Sequence, residues 1–150
     1  MPATLRQFNW RAVTITPTAG SATVLTGVTQ VGIDENSIAA KFSGDGDQGP
    51  TTVIREFVDA MITIALADIA KVRALTGGTR GAFSAIFKDA KQTGATAATG
   101  DITFAIGDPK LFVVNNPISG AHRQFGGGQL LLCTEWADGA TNPLSSAVTA

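Results

Sequence analysis

The length, composition and charge of the chain limit what it can be. Its 150 residues suffice for one domain with a hydrophobic core and are too few for two comfortable ones. Charged residues make up 15% of the chain, whereas an ordinary soluble domain has roughly 25%. This favours a surface partly covered by partners, although an ordinary domain with a Thr- and Gly-rich surface fits about as well. A net charge of −1 without a basic run excludes tight binding of nucleic acid through counterion release.

The single cysteine and the apolar segments restrict the chain further. Cys133 has no partner for an internal disulfide or a cysteine-based zinc site, and we expect it to be a small core residue in a reducing compartment. The first residues, MPATLRQFNW, lack the apolar stretch of a signal peptide. No uninterrupted run of about eighteen apolar residues occurs, so the sequence predicts no membrane span.

Two strands are predicted in the N-terminal part of the chain. The apolar alternation of the first strand changes phase, which predicts a bulge near Ala12. The side chains on its first face are Phe8, Trp10 and Ala12, and those of opposite parity are Val13 and Ile15. Residues 23–33 are predicted to form the second long strand.

Residues 51–75 are ambiguous between helix and strand. Apolar residues recur there at helical spacing, but the runs TTVI and MITI are dense in β-branched residues, which favour strands. We interpret the segment as two strand pieces that bend near Asp59 and Ala60. A short helix, ADIAKVRAL, follows, with Asp68 near its start and Gly77-Gly78 past its end.

The C-terminal half is predicted to contain further strands and two mobile segments. Alternating side chains predict strands over residues 81–88 and 101–107, followed by the buried-type run LFVVN. A last strand is expected over residues 123–136, where Gly126-Gly127-Gly128 indicates a kink or a close approach of another element. The Ala-, Thr- and Gly-rich residues 92–100 and the tail at residues 138–150 are both typical of mobile structure.

The stretch KFSGDGDQGP matches the pattern G-x-G-x-x-G, which can bind a dinucleotide when a helix follows it. Here the residues that follow, PTTVI, prefer a strand, and Asp45 and Asp47 would repel a diphosphate. Aligned to an EF-hand, Asp45, Asp47 and Glu56 take the first, third and twelfth positions. Pro50, however, stands where the EF-hand requires glycine. A flexible loop between strands fits better than either site, and a weakly bound cation on the two aspartates remains an alternative.

Catalytic signatures are equally weak in the sequence. His122 is the single histidine, and no nucleophile motif accompanies it, which favours a histidine at the surface or at a strand end. Glu56 and Asp59 are typical of solvated surface charge, and Trp10 and Trp136 are predicted to pack in the core rather than to stack a ligand. We therefore predict no enzymatic activity, no catalytic residue, no cofactor and no metal.

The order of these elements resembles that of the tail tube proteins of tailed bacteriophages. The likeness is carried by the stretch SGDGDQGPTTVIRE, followed by the run MITIAL passing directly into the short helix, and it extends over most of residues 8–136. The resemblance implies one domain over residues 1–150, mainly β, built as an antiparallel β-sandwich or half-barrel with one short flanking helix. The tube proteins of type VI secretion systems share that fold.

The resemblance also implies a function in assembly. Six copies would form a ring, and rings would stack into a hollow tube through which DNA passes without specific binding. Such a subunit would be assembled in the host cytoplasm and reside in the virion tail, with sheath, tape-measure, baseplate or terminator proteins as partners. The loop between the strands would then make inter-subunit contacts through Gly44, Asp45, Gly46, Asp47, Gln48 and Gly49. Alternatives are a type VI secretion-like tube subunit or a baseplate component. An alternative from another class is a small β-sandwich hydrolase or ligand-binding module that uses His122 and nearby acidic residues.

Overall fold

A computed structural model describes residues 7–90 and 94–150, except for the side chains of residues 56–58. The chain forms nine strands and one helix over this part. In chain order these are β1 (Phe8–Pro17), β2 (Thr23–Val24), β3 (Val28–Phe42), β4 (Thr52–Leu66), α1 (Ile69–Ala74), β5 (Arg80–Asp89), β6 (Ile102–Asn115), β7 (Ile118–Ser119), β8 (Gly127–Thr134) and β9 (Leu144–Val148).

All nine strands belong to one antiparallel sheet. Its order is β2-β1-β5-β6-β8-β4-β3, with β7 paired to β8 and β9 paired to β6. The sheet curls until β1 lies opposite β3, and an open pocket of about 440 Å³ between residues 8–11 and 28–31 marks the unclosed seam. The predicted fold class, mainly β with a half-barrel and one short helix, is confirmed.

The core fills the concave side of this curled sheet. Every second residue of a strand points to one face, so the alternating apolar residues of neighbouring strands meet there. β5 and β8 each contribute two such buried residues in alternation, β6 contributes Leu111 and Val113 in addition to Ile106, and α1 closes one end with Val72. The side chains with no exposed surface include Ile15, Ile62, Ile64, Leu111, Val113, Leu130 and Leu132.

The N-terminal strands agree with the prediction in one respect and differ in another. The register of β1 against β5 shifts between Arg11 and Thr14, and Ala12 has φ of 50°, which confirms the bulge near Ala12. The long strand predicted over residues 23–33 is instead divided into β2 and β3. The division has a topological cause: β2 pairs with β1, whereas β3 pairs with β4 at the far side of the sheet.

Residues 51–75, whose sequence fits both helix and strand, form strand β4 followed by helix α1. β4 runs unbroken through Asp59 and Ala60, so the predicted bend there is wrong, and the register shift against β3 falls between the partners of Ile38 and Ala39. Asp68 lies at the start of α1 as predicted, and it caps the helix, since its Oδ1 accepts a hydrogen bond from Lys71 N at 3.3 Å. In the described part of the chain, no helix is long and apolar enough to span a membrane.

The strand predicted over residues 123–136 is the shorter β8, and its glycines lie where a helix packs closely. A Cβ at Gly128 would lie 2.8 Å from Val72 Cγ2, so a side chain there would push α1 away from the sheet. The predicted close approach is confirmed.

The C-terminal tail differs from its prediction. Residues 144–148 form β9, which pairs with β6 from Ile106 to Ile102 instead of remaining mobile. The sequence signal was misleading because β9, with the residues LSSAV, has one buried residue, Leu144, and is held mainly by backbone hydrogen bonds. Of the other segment predicted to be mobile, residues 92 and 93 lie outside the described residues, and residues 94–100 form a loop over β5.

Candidate assembly surface

The outer halves of β3 and β4 extend beyond the sheet as a two-stranded arm. We define the arm as residues 36–59, that is, residues 36–42 of β3, residues 52–59 of β4 and the loop that joins them. β3 and β4 pair with each other from Val28 to Phe42, but β4 pairs with β8 only from Met61 to Leu66. Among the residues that the structure describes, the arm is therefore a ribbon of two strands, and β3 is an edge strand along its whole length.

One face of the arm is apolar and exposed. Side chains two residues apart on a strand share a face, and directly paired residues lie side by side. Ala40 pairs with Ile54, so Ile38, Phe42 and Ile54 share one face. Their exposed fractions are 61%, 66% and 58%. Exposed apolar side chains on an unpaired edge are typical of a surface that another chain covers.

The loop at the end of the arm joins the two strands through a tight turn. Asp47 N donates to Gly44 O at 3.2 Å, and Gly46 has φ of 87°, as the third residue of a type II turn requires. Asp47 Oδ2 accepts a hydrogen bond from Gly44 N at 2.6 Å. The residues predicted to make inter-subunit contacts all lie in this loop: Gly44, Asp45, Gly46, Asp47, Gln48 and Gly49.

The loop lies between two strands, as the sequence predicted, and is not followed by the helix that a dinucleotide site requires. A strand, not a helix, follows the glycines, so no helix N-terminus points at them. One carboxylate oxygen of Asp47 is already held by the Gly44 backbone. The side chain of Glu56 lies outside the described residues, and within the described ranges no group of three or more His, Cys, Asp or Glu residues could hold a metal ion.

The mouth of the half-barrel carries an aromatic cluster next to the arm. Trp10 lies 4.9 Å from Phe87 and 5.6 Å from Phe104 between ring centroids, and Phe8 stacks on Phe87 at 4.7 Å. An open pocket of about 400 Å³ lies beside the cluster. Its lining comprises Trp10, Ile33, Glu35, Phe87, Ile102, Phe104, Leu144 and Ser146. Trp10 thus packs against the core as predicted while remaining partly exposed.

The loop between β7 and β8 holds the candidate catalytic residue of the alternative hypothesis. His122 lies in an exposed turn, and no hydrogen bond or ion pair of its side chain is seen within residues 7–90 and 94–150. The same loop exposes Phe125 completely. Sequence reasoning passed over Phe125, because no local pattern distinguishes an exposed phenylalanine from a buried one.

The outer face of β5 carries a buried ion pair that sequence reasoning also missed. Lys88 Nζ lies 3.2 Å from Asp101 Oδ2, and both side chains are almost fully buried. Lys88 Nζ also donates to Thr96 O, and Ala98 N donates to Asp101 Oδ2 at 2.8 Å. The hydrogen bond from Ala98 N, opposed by burial and aided by Asp89 N and Lys88, holds the pKa of Asp101 below its ordinary value.

Two other carboxylates and the thiol also have shifted pKa values. Hydrogen bonds from the backbone of Thr141 and Ala140 lower the pKa of Asp138 from 3.8 to about 2. A hydrogen bond from Thr26 Oγ1 at 2.7 Å is the main cause that lowers the pKa of Asp68. Burial raises the pKa of the Cys133 thiol, which disfavours the reactive thiolate. The two carboxylates stabilise local structure: Asp138 a turn and Asp68 the start of α1.

No protein-family model matches the chain, and no curated protein matches it.

Proposed function

We propose that the chain is the subunit of a bacteriophage tail tube. Six copies form a ring, the rings stack into a hollow tube in the virion tail, and DNA passes through without specific binding. The sheath, tape-measure, baseplate or terminator proteins of the tail are its further partners. The resemblance over residues 8–136 motivates this proposal, and the geometry of the arm supports it.

The observation that carries the proposal is the open edge of β3. An isolated two-stranded ribbon is marginally stable in water, and a long edge strand with apolar side chains pairs readily with another chain. β3 has 15 residues, and in the described structure its one strand partner is β4. A neighbouring copy that pairs with this edge covers the apolar face of Ile38, Phe42 and Ile54, and successive pairings can close into a ring.

The charge of the chain supports a passage for DNA rather than a binding site. Eleven basic and twelve acidic residues leave a net charge of −1. This balance permits a bore with few phosphate contacts, through which DNA would move without being retained by counterion release.

The direct test is the mass and shape of the purified chain. We expect light scattering at increasing concentration to show a hexamer or larger species, and negative-stain electron microscopy to show long hollow tubes. Isolated rings or short stacks would instead support a baseplate component or a type VI secretion-like subunit. A monomer at high concentration would contradict all three assembly functions.

A variant pair tests whether the β3 edge makes the contact. Ile38→Lys places a charge on the apolar face of the arm, and a lysine on an edge strand opposes pairing with another chain. We expect assembly to need at least tenfold more protein. Ser21→Lys is the matched control because it adds the same charge in an exposed turn outside the arm. Equal assembly of both variants would place the contact elsewhere.

A further inference from the structure

A single aromatic side chain projects from the end of the molecule that carries α1. Phe125 has a relative exposure of 105%, so it contacts almost nothing of its own chain. It lies in the loop between β7 and β8, two residues after Arg123, whose φ of 61° is strained for a residue with a side chain. Ile118, 50% exposed on β7, adds apolar surface at the start of the same β7–β8 connection. An exposed aromatic residue of this kind is typical of an anchor that fills a pocket on a partner.

The pocket beside the aromatic cluster can receive such an aromatic side chain. Its pocket of about 400 Å³ is open to solvent and is lined by the rings of Trp10, Phe87 and Phe104. Aromatic rings favour offset or edge-to-face contacts with one another, which a fourth ring entering the pocket can make.

The register of the strands places the anchor and the mouth at opposite ends of the half-barrel. β6 runs from Ile102, which lines the mouth, to Asn115, which pairs with Leu131 of β8. β8 begins at Gly127, two residues after Phe125. The length of β6 therefore separates the two sites, and Phe125 cannot enter the pocket of its own chain.

The charges at the two ends are complementary. Glu35 is the charged residue among those that line the pocket, and Arg123 stands beside the anchor. The contacts of Glu35 within its own chain are long: 3.7 Å to Arg55 Nη2 and 3.4 Å from Asn142 Nδ2. A guanidinium from another copy can form a shorter, bidentate pair with this carboxylate.

We propose that Phe125 of one copy inserts into the Trp10–Phe87–Phe104 pocket of a second copy, with Arg123 next to Glu35 of that copy. This inference rests on the proposed self-assembly and specifies one of its contacts. A contact between two different surfaces at opposite ends is heterologous, so it repeats without limit along one direction. It joins copies end to end, whereas the β3 edge joins them side by side.

Disulfide cross-linking between two different single-cysteine proteins tests the contact. One protein carries Cys133→Ser with Gln124→Cys beside the anchor, and the other carries Cys133→Ser with Ser146→Cys in the pocket lining. On oxidation of the mixture we expect disulfides between the two proteins, at least tenfold more than when Ala95→Cys, in an exposed loop outside the pocket, replaces Ser146→Cys. Phe125→Ala in the first protein should lower the yield at least tenfold.

Each other outcome overturns the inference. Disulfides mainly between two copies of the Gln124→Cys protein would mean that like surfaces meet. A yield that equals the Ala95→Cys control, or that does not depend on Phe125, would mean that the anchor makes no such contact. Microscopy of the unsubstituted protein separates this failure from that of the proposed function: tubes without Phe125-dependent cross-links contradict the inference alone, whereas a monomer contradicts both.

Discussion

The arm and the body of the sheet share two strands, yet their side chains have opposite environments. In β4, Ile62 and Ile64 have no exposed surface, whereas Ile54 is 58% exposed. The difference begins where β8 stops, because β4 lies between two strands only from Met61 to Leu66. The same residue type is thus core or surface according to whether a third strand and the opposite wall of the curled sheet are present.

The two parts of β4 thus have different functions: one part belongs to the folded core, and the other offers a surface for assembly. The body buries most of its large apolar side chains in a core formed within one chain. The arm has the same β-branched composition without a second layer, so its apolar surface is available to another chain. Substitutions of the buried residues of the body should therefore change the free energy of unfolding, whereas substitutions on the apolar face of the arm should change assembly.

The largest contrast is expected between a buried ion pair and an exposed one. Lys88→Met removes one partner of a buried pair and leaves a carboxylate without its counter-charge, which should lower the free energy of unfolding by about 3–5 kcal/mol. Arg55→Met breaks the exposed pair between Arg55 of the arm and Glu35, and it should cost about 0–1 kcal/mol. Urea unfolding followed by circular dichroism measures both. Equal losses would mean that the Lys88 pair is solvated like a surface pair.

A slightly smaller contrast is expected between two isoleucines of β4. Ile62→Ala opens a cavity in the core and should cost about 2–5 kcal/mol, since the surrounding side chains relax only in part. Ile54→Ala removes exposed surface and should change the free energy of unfolding by no more than about 0.5 kcal/mol. The same urea titrations test the pair. A large loss in Ile54→Ala would show that the arm packs against the body of its own chain.

A modest pH dependence is expected from the turn that precedes β9. The pKa of Asp138 is about 2 in the folded chain and 3.8 ordinarily, so the folded state binds fewer protons than the unfolded state between these values. The stabilisation is complete above pH 3.8 and is lost as pH falls towards 2. Asp138→Asn removes this titration while its side-chain oxygen can still accept hydrogen bonds from Ala140 N and Thr141 N. The thermal midpoint of the unsubstituted chain should exceed that of the variant at pH 6, and the gap should shrink by pH 2.5.

The mainly β composition could be predicted because its signals are local, whereas the half-barrel with one helix was implied by the resemblance. Alternation in β5 and β6, the phase change near Ala12 and the position of Asp68 at the start of the helix each depend on a few neighbouring residues. The division between β2 and β3 could not be predicted, since it depends on which distant strand each one meets. β9 was missed for a related reason: backbone pairing with β6 stabilises it, and its residues show little apolar pattern.

The candidate site was predicted less well than the fold. The loop from Gly44 to Gly49 was located by its glycines, whereas the apolar face beside it depends on the pairing of Ala40 with Ile54. The Trp10–Phe87–Phe104 cluster unites three strands that are distant in sequence, so no local pattern indicates it. Phe125 is exposed because no other element of the chain packs against its ring. Which elements pack there depends on the whole fold, so the neighbouring residues do not indicate the exposure.

The smallest expected effect distinguishes the two regions by their dynamics. Gly46→Ala forces a side chain onto a backbone φ of 87°, a strain of about 1–2 kcal/mol within the turn of the arm. Gly49→Ala is the matched control, because a Cβ there meets no atom within 4 Å and its φ lies outside the positive region. Amide hydrogen exchange in residues 36–42 should be about 5–30 times faster in Gly46→Ala than in the control. This is the factor by which a loss of about 1–2 kcal/mol raises the population of the locally open state. Exchange in β5 and β6 should be the same in both variants, because these strands do not contact the turn. Equal acceleration in β5 would mean that arm and body open together, and the arm could then not serve as a separately adjustable assembly element.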